Sequence, residues 1–282
     1  MATERNAPST RKLLSDAVSY VSLTALSLLV LFPIWLTIVR AVSPPFEYIE
    51  AGQPFLPVNA DLGVFGDAWR EGGLGRAMLV TVAIAVVITV AQLVSSIAAA
   101  YAFAFLRFPF QRLLFGVVLA TMLLPIEVTL VANVRTIREL RWLDSVQGLT
   151  APFLASAFGI FLLRQSFRGL PPELRDAATL DGLGHFAFVR RVVVPLNRPA
   201  IGSLALITLL SAWNNYLWPR AITIKPEWST LQLVLRRVTI QQPDRINVGV
   251  AAAIISALPV LALLIVFQKQ IIRGLTAGAV KG

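Results

Sequence analysis

The sequence predicts an all-α integral membrane protein with six transmembrane helices and one short charged helix between the fourth and the fifth. The composition is the first observation: 56% of the 282 residues are hydrophobic and 14% are charged, whereas roughly 25% of a soluble domain is charged. The second observation is length, because a helix needs about 20 apolar residues to cross a bilayer. Six stretches qualify, at 17–39, 77–106, 113–134, 145–163, 199–219 and 246–267. No stretch alternates polar and apolar residues as a barrel strand does.

The six stretches differ in what interrupts or follows them. The second is uncharged over 30 residues, which is longer than one crossing needs, so we expect it to tilt, kink or protrude. The third contains one acid, Glu127, and Pro125 just before it can break the helix. Segment 40–76 carries four prolines and several glycines, a composition typical of an ordered loop with little regular structure.

Six crossings place both termini on the same side of the membrane. If that side is the cytoplasm, the inner segments hold 14 Arg and Lys residues and the outer ones 11, a weak bias in the expected direction. The predicted organisation is a cytoplasmic N-terminal segment at 1–16, a six-helix membrane domain at 17–267 with an inner loop at 164–198, and a cytoplasmic tail at 268–282. The net charge of +10 is then explained by Arg and Lys residues that fix the topology against an anionic leaflet. We predict no nucleic-acid partner.

Several kinds of active site are excluded by composition. The chain has no cysteine, which removes disulfides and thiolate chemistry. His185 is the single histidine, so a histidine metal site or a Ser–His pair is not expected, and we predict neither catalytic nor metal-binding residues. A phosphate-binding P-loop needs Gly followed by Lys, and none of the four lysines follows a glycine. The chain therefore does not supply that ATP site itself.

A charged segment, residues 171–195, stands between the fourth and fifth apolar stretches. Pro171, Pro172 and Glu173 form a helix start, and the following glycines predict its end. Leu174, Ala177, Ala178 and the pair at 180–181 recur at helical spacing and predict one face of mostly small residues. This helix is too short to cross a membrane. It either lies on the inner leaflet or docks a soluble partner.

The charged segment resembles the signature loop of the permeases of ABC importers. The matching residues are Asp176, Ala177, Ala178, Asp181, Gly182, Phe188 and Pro195, all at the family spacing. Two positions depart from the family pattern, because Asp176 replaces the usual Glu and Leu183 the usual Ala. Segments 122–128, 142–150, 161–165 and 213–219 extend the resemblance over nearly the whole chain. It is closest to sugar-type permeases like the smaller permease of the maltose importer, and among these to the glycerol-3-phosphate and glycerophosphodiester group.

The resemblance implies a role and a set of partners. The chain would be a non-catalytic permease in a bacterial inner membrane, paired with a second homologous permease, two ATPase subunits that hold ATP and Mg²⁺, an extracytoplasmic binding protein, and membrane lipid. The cargo would be a glycerophosphodiester such as glycerophosphocholine, or sn-glycerol-3-phosphate. Alternatives are a mono- or oligosaccharide permease and, in a different class, a stand-alone secondary transporter. The residues implied to couple to the ATPase, in a cytoplasmic coupling helix and its loop, are Glu173, Asp176, Ala177, Ala178, Asp181, Gly182, Leu183, Phe188 and Pro195.

Two places carry polar or aromatic groups that are candidates for the substrate pathway. The first is Glu127, because an acid inside an apolar run is costly and usually functional. It can also simply face water near the end of its helix. The second is the end of the fifth apolar stretch, where the candidates are Trp213, Asn214, Asn215, Tyr216 and Trp218. Trp and Tyr here are also typical of an interfacial belt. Because carboxylates and aromatic faces both attract quaternary ammonium groups, we expect Glu127 with one of these aromatics to receive a choline head.

Overall fold

The computed structural model describes residues 10–71, 73–241 and 243–276, which form helices, turns and loops with no strand among them. These residues divide into two compact units. The first unit comprises the described residues up to Glu71 together with Val238–Ile255. The second comprises the described residues of Gly72–Arg237 and those from Ser256 onward. Parts of the predicted segments 1–16 and 268–282 lie outside the described residues.

The first unit begins with a long apolar helix followed by two short ones. They are α1 (Thr10–Val42), α2 (Pro45–Glu50) and α3 (Gly63–Glu71). The prediction of little regular structure in 40–76 is therefore wrong. Pro45 stands in the first turn of α2, where its missing N–H costs nothing. The Asp61 carboxylate accepts a hydrogen bond from the N–H of Gly63, the first residue of α3, at 2.7 Å, in a turn that aspartate side chains commonly form. Val64 and Ala68 of α3 are buried.

The second unit contains the helices between α3 and the C-terminal part of the chain. They are α4 (Leu74–Phe105), α5 (Gln111–Thr121), α6 (Ile126–Glu139), α7 (Val146–Thr150), α8 (Ala157–Arg168), α9 (Glu173–Leu180), α10 (His185–Phe188), α11 (Val194–Leu196), α12 (Arg198–Trp213) and α13 (Leu217–Ile222). Two further helices, α14 (Leu231–Gln241) and α15 (Ile246–Thr276), each have residues in both units.

Helix α4 is central to the second unit, because α8 and α12 both pack along it. Small residues allow this packing: a Cβ at Gly159 of α8 would collide with the Ser96 hydroxyl of α4. Near the C-terminal end of α4, Ala100 and Tyr101 belong to one buried cluster. Toward its N-terminal end, Ile84 and Ile88 belong to another. The helix thus joins two packed regions of the unit.

Three of the six predicted crossings are confirmed as long apolar helices. Of the described residues, Asp16–Val42, Leu74–Phe105 and Ile246–Gln268 are long and apolar enough to span a bilayer. They match the stretches predicted at 17–39, 77–106 and 246–267. Two bent pairs pass the same test, Val146–Phe153 with Ala157–Arg168 at 48° and His185–Leu196 with Arg198–Trp213 at 81°. The described structure therefore gives three candidate spans, or up to five if each bent pair is one span.

The third, fourth and fifth predicted stretches are not continuous helices. The stretch 113–134 is interrupted after Thr121, and the chain resumes helix at Ile126. Pro125 accounts for this, since it has no N–H to donate and disfavours helix at the residue before it. The stretch 145–163 is interrupted after Phe153, and α8 begins at Ala157. The stretch 199–219 is interrupted after Trp213, and α13 begins at Leu217. The prediction of a single helix over each of these three stretches is therefore wrong.

Candidate functional site

The charged segment begins with a short helix, α9, whose two ends are determined by the local sequence. Helix α9 begins at Glu173 directly after Pro172, and two acids stand in its first turn, where they favour the positive end of the helix dipole. At the other end Gly182 has a φ of +70°, which a residue with a Cβ adopts at a cost. Its N–H bonds the Thr179 carbonyl at 3.1 Å and the Leu183 N–H bonds the Ala178 carbonyl at 2.9 Å. This pair of bonds is a Schellman cap, so the predicted start and end are both confirmed.

One side of the charged segment is anchored in the second unit. Ala178 and Phe188 are buried in the cluster that contains Tyr101 of α4 and Leu163 of α8. Arg175 donates from Nη1 to the carbonyl of Phe105 at 2.8 Å. The segment is therefore attached to both α4 and α8 by apolar contacts and a hydrogen bond.

A hydrogen bond and a helical turn add to this anchor. The Tyr101 hydroxyl and Nδ1 of His185 share a hydrogen bond of 2.6 Å. A π-helical turn at Val189–Val193 leads into α11, where Pro195 is half-buried. The predicted Phe188 and Pro195 therefore lie on the anchored part of the segment.

The other side of the charged segment is exposed. Glu173, Asp176 and Asp181 face solvent, and the side chains of Leu180 and Phe186 are 89% and 80% exposed. The set predicted to form one small-residue face is divided, because Ala178 points inward while Ala177 is exposed. The segment thus presents acids beside bare apolar side chains.

A second feature of this unit is a cavity of about 490 Å³. Its wall combines apolar side chains with hydroxyl, amide and carboxylate groups. The polar residues that line it are Gln92, Glu127, Ser156, Thr208, Ser211, Asn214, Asn215 and Tyr216. Such a mixture is typical of a site for a small polar solute.

Three helix interruptions meet at this cavity. Glu127 stands in the first turn of α6, just after the break at Pro125. Phe153 and Ser156 flank the break before α8, and Asn214–Tyr216 form the break between α12 and α13. The breaks leave backbone polar groups without helical partners. A cavity with a partly polar wall gives these groups access to water.

Gln92 connects the elements around the cavity. Its Nε2 donates to the Phe153 carbonyl at 2.8 Å, and its Oε1 accepts from the Thr208 hydroxyl at 3.0 Å. One amide of α4 thereby holds both the break before α8 and helix α12. Gln92 was not among the predicted site residues, although an amide within a long apolar run indicates a buried polar contact. Ser156, Thr208 and Ser211 were not predicted either, because serine and threonine are common in packed helices and do not indicate a site.

The structure separates the predicted substrate-pathway residues into two groups. Glu127, Asn214, Asn215 and Tyr216 line the cavity. Trp213 and Trp218 are buried and are not among its lining residues. Trp218 is 1% exposed, and its Nε1 donates to the carbonyl of Gly148 at 3.0 Å. The side chains of the two tryptophans therefore pack in the interior of the unit.

Two arginines contact Tyr216, which lines the cavity. The Arg220 Nη1 donates to the Tyr216 hydroxyl at 3.0 Å. The guanidinium carbons of Arg220 and Arg236 lie 5.7 Å and 5.4 Å from the centre of its ring, within the range of cation–π attraction. Both arginines are exposed. They place positive charge beside a residue that lines the cavity.

Comparison with known proteins gives consistent results. The family described as "Binding-protein-dependent transport system inner membrane component" matches residues 92–277. The sn-glycerol-3-phosphate transport system permease protein UgpE of Yersinia pestis bv. Antiqua (strain Antiqua) is 33% identical over 268 residues, or 92% of this chain and 95% of that one. The protein of the same name from Rhizobium meliloti (strain 1021) is 30% identical over 93% of this chain and 96% of its own.

A solved structure supports the fold. It is that of a bacterial ABC transporter involved in the import of the acidic polysaccharide alginate, with a TM-score of 0.79 and 24% identity over 93% of this chain and 98% of that chain. The permease fold is therefore shown, and the resemblance based on the charged segment is confirmed. The chain belongs to the family of binding-protein-dependent transport system inner membrane components.

Proposed function

We propose that the chain is a non-catalytic permease subunit of an ATP-driven importer for sn-glycerol-3-phosphate or its diesters, such as glycerophosphocholine. The charged segment is the observation that carries this proposal. It is anchored to α4 and α8 on one side, and on the other it exposes acids and two apolar side chains. Such a surface is suited to a soluble partner, because large exposed apolar side chains beside charges mark interaction sites. One ATPase subunit would dock here, and the two ATPase subunits of the whole transporter would hold ATP and Mg²⁺.

The proposal includes a membrane arrangement. The chain crosses the membrane six times with both termini in the cytoplasm, the interrupted pair α5 and α6 forms the third crossing, and α9 is the coupling helix. The basic connections at 107–112 and 164–198 support this orientation. A second homologous permease and an extracytoplasmic binding protein complete the transporter within the lipid bilayer.

The same two helices lead from the coupling helix to the cavity. Tyr101 of α4 packs with the charged segment, and Gln92 of the same helix lines the cavity about 14 Å away at the rise of an α-helix. Leu163 of α8 packs with the segment, and Ser156 caps the start of α8 at the cavity. Movement of α9 with the ATPases would therefore move the cavity wall as a rigid body, which is how such transitions are transmitted between sites.

The cavity and the relatives support the proposed cargo. The two relatives above are sn-glycerol-3-phosphate permeases by name. Hydroxyl and amide groups in the wall are suited to glycerol hydroxyls, and Arg220 and Arg236 beside Tyr216 are suited to a phosphate. Glu127 with Tyr216 would receive the choline of a diester. A mono- or oligosaccharide would use the hydroxyl and amide groups alone, without the two arginines.

Uptake into cells tests this function. The full chain is expressed with its partner subunits in a strain that lacks its own importer, and uptake of labelled glycerol-3-phosphate, glycerophosphocholine and maltose is compared. We expect the two phosphate compounds to enter and maltose to be excluded. Uptake that continues when the partner ATPase is inactivated would instead identify a secondary transporter.

Two variants test the assignment of groups to the cargo. Arg236→Gln should raise the KM for both phosphate compounds by about tenfold, as expected for the loss of one charged hydrogen bond. Glu127→Gln should raise only the KM for glycerophosphocholine. Glu139→Gln, an exposed acid in an ion pair with Arg135, is the matched control and should change neither. Unchanged choline-diester uptake in Glu127→Gln would refute the role of that carboxylate.

A further inference from the structure

A second polar cavity, of about 410 Å³, lies in the same unit between α4, α5 and α8. Four arginines line it, and no acidic residue is among the lining residues. We call it the arginine pocket, and its basic residues are Arg107, Arg112, Arg164 and Arg168. Among the described residues, none of these four forms an ion pair with a carboxylate. Four positive charges around one cavity repel one another, so the pocket favours an anion.

Neighbouring groups hold one of these arginines in place. The Arg164 guanidinium lies 4.0 Å from the centre of the Phe115 ring, and its Nε donates to the Phe103 carbonyl at 3.2 Å. Gln111, which also lines the pocket, donates to the same carbonyl at 3.0 Å. Stacking and a single Nε bond fix the plane of the guanidinium. That geometry suits a phosphate, which takes two parallel N–H donors from one arginine.

The pocket also stands where α5 begins. Gln111 and Arg112 belong to the first turn of α5 and both line the pocket. The backbone N–H groups of a first helical turn have no partner within the helix, and they attract anions. This contribution adds to that of the arginine side chains.

Helix α5, whose Gln111, Arg112 and Phe115 line the pocket, also carries exposed apolar side chains. Leu114 lies one turn from Gln111, and Leu113 and Val117 lie further round the same helix, all three exposed. Phe110, at the start of the helix, is 76% exposed. A ligand that fits both surfaces has an anionic head and a hydrocarbon tail. In a membrane protein the molecule with these properties is an anionic phospholipid.

We propose that the arginine pocket binds the phosphodiester headgroup of an anionic glycerophospholipid whose acyl chains lie along α5. The chemistry recognised is that of a phosphate, which a soluble phosphate shares, but the apolar face of α5 favours the lipid. The pocket adjoins the charged segment, because Phe105 lines the pocket and its carbonyl accepts the hydrogen bond of Arg175. A bound headgroup would therefore stabilise the junction between α4 and α9. This proposal holds whichever solute the importer carries.

Lipid titration of the purified full-length chain, followed by native mass spectrometry, tests the proposal. Dioleoyl-phosphatidylglycerol and dioleoyl-phosphatidylcholine have the same acyl chains and differ in headgroup charge. We expect the affinity for the first molecule of phosphatidylglycerol to be at least about tenfold higher than that for the first molecule of phosphatidylcholine. Changing Arg112→Gln together with Arg168→Gln should reduce this preference to within about twofold, and the Lys variants at both positions should restore most of it.

The control removes the same charge elsewhere. Arg190 and Arg191 are exposed and lie outside the pocket, so the double Gln variant at these positions should keep the preference. Equal binding of the two lipids, or equal loss in the pocket and control variants, would overturn the proposal. Displacement of phosphatidylglycerol by an equal concentration of inorganic phosphate would show that the occupant is a soluble anion. When the whole transporter is purified instead, loss of the second permease from the pocket variant, with lipid preference retained, would overturn the proposal and assign the pocket to a subunit contact.

Discussion

Substitution of Gly182 by valine tests whether the shape of the charged segment carries the coupling. Gly182 is the left-handed residue of the Schellman cap that ends α9, with a φ of +70°. No heavy atom lies within 4 Å of the position that a Cβ would take. A Cβ added at this position therefore meets open space, and the main cost of the substitution lies in the backbone conformation.

The magnitude follows from the cap geometry. A residue with a Cβ costs about 1–2 kcal/mol in the left-handed region, and a β-branched residue is a greater outlier there. If the turn rearranges instead, the hydrogen bonds from the Gly182 and Leu183 N–H groups are lost, at about 1 kcal/mol each. Either route destabilises the local turn by about 2 kcal/mol, which shifts its equilibrium by about 30-fold.

Gly184 provides the matched control. It lies two residues further on, its φ is −67° and ψ 167°, and a Cβ there also meets open space. Valine is compatible with that extended conformation. Gly184→Val therefore adds the same side chain to the same segment without the conformational cost.

The assay measures substrate uptake and ATPase activity in proteoliposomes that contain the whole transporter. We expect Gly182→Val to lower uptake by at least about fivefold while ATP is still hydrolysed, since a deformed α9 no longer transmits movement. Gly184→Val should stay within about twofold of the parent in both measurements, given the small effect of unstrained surface changes. Equal losses in the two variants, or normal uptake with Gly182→Val, would refute the reasoning.

Three further changes separate coupling from packing. Asp176→Lys reverses an exposed charge in the first turn of α9 and should strongly lower uptake, while the unfavourable charge at the helix N-terminus costs at most about 1 kcal/mol of stability in detergent; a loss of uptake no larger than the loss of stability explains would contradict a docking role. Gln92→Leu removes the bonds to Phe153 and Thr208 and should lower the free energy of unfolding by about 2 kcal/mol, whereas the exposed control Gln165→Leu should not. Trp218→Phe leaves the Gly148 carbonyl unpaired and should cost about 2 kcal/mol with unchanged KM, and a raised KM would place Trp218 in the pathway after all.

The charged segment was predictable because its rules are local. Two prolines before Glu173 start the helix, and Gly182 ends it through a single left-handed residue. Both effects depend on residues within a few positions of each other. Which alanine points inward was not predictable, because the burial of Ala178 depends on α4 and α8, distant in sequence.

The end of the fifth apolar stretch was less predictable for the same kind of reason. No proline or glycine stands at the interruption after Trp213. The hydropathy therefore predicted one continuous helix up to residue 219. The Asn214 amide nitrogen bonds the Leu210 carbonyl at 2.9 Å, a local competition with the helix that asparagine makes possible. This interruption turns Asn214, Asn215 and Tyr216 to the cavity while Trp213 and Trp218 are buried. The composition identified the candidate residues at the end of this stretch. The break in the helix determines which of these residues reach the cavity.

The position of the helix interruptions around the cavity supports a role in transport, independently of the family resemblance. An unpaired backbone N–H or C=O in hydrocarbon costs several kcal/mol, so every break within a membrane helix needs water or a polar partner. The breaks before Glu127, before Ser156 and after Trp213 all adjoin the same cavity of about 490 Å³. The backbone N–H and C=O groups at these breaks need water as a partner when the cavity holds no solute. The same groups are able to bond the hydroxyls of a solute. In the proposed function, these breaks would therefore be the features that give a polar solute a pathway through a chain that is 56% hydrophobic.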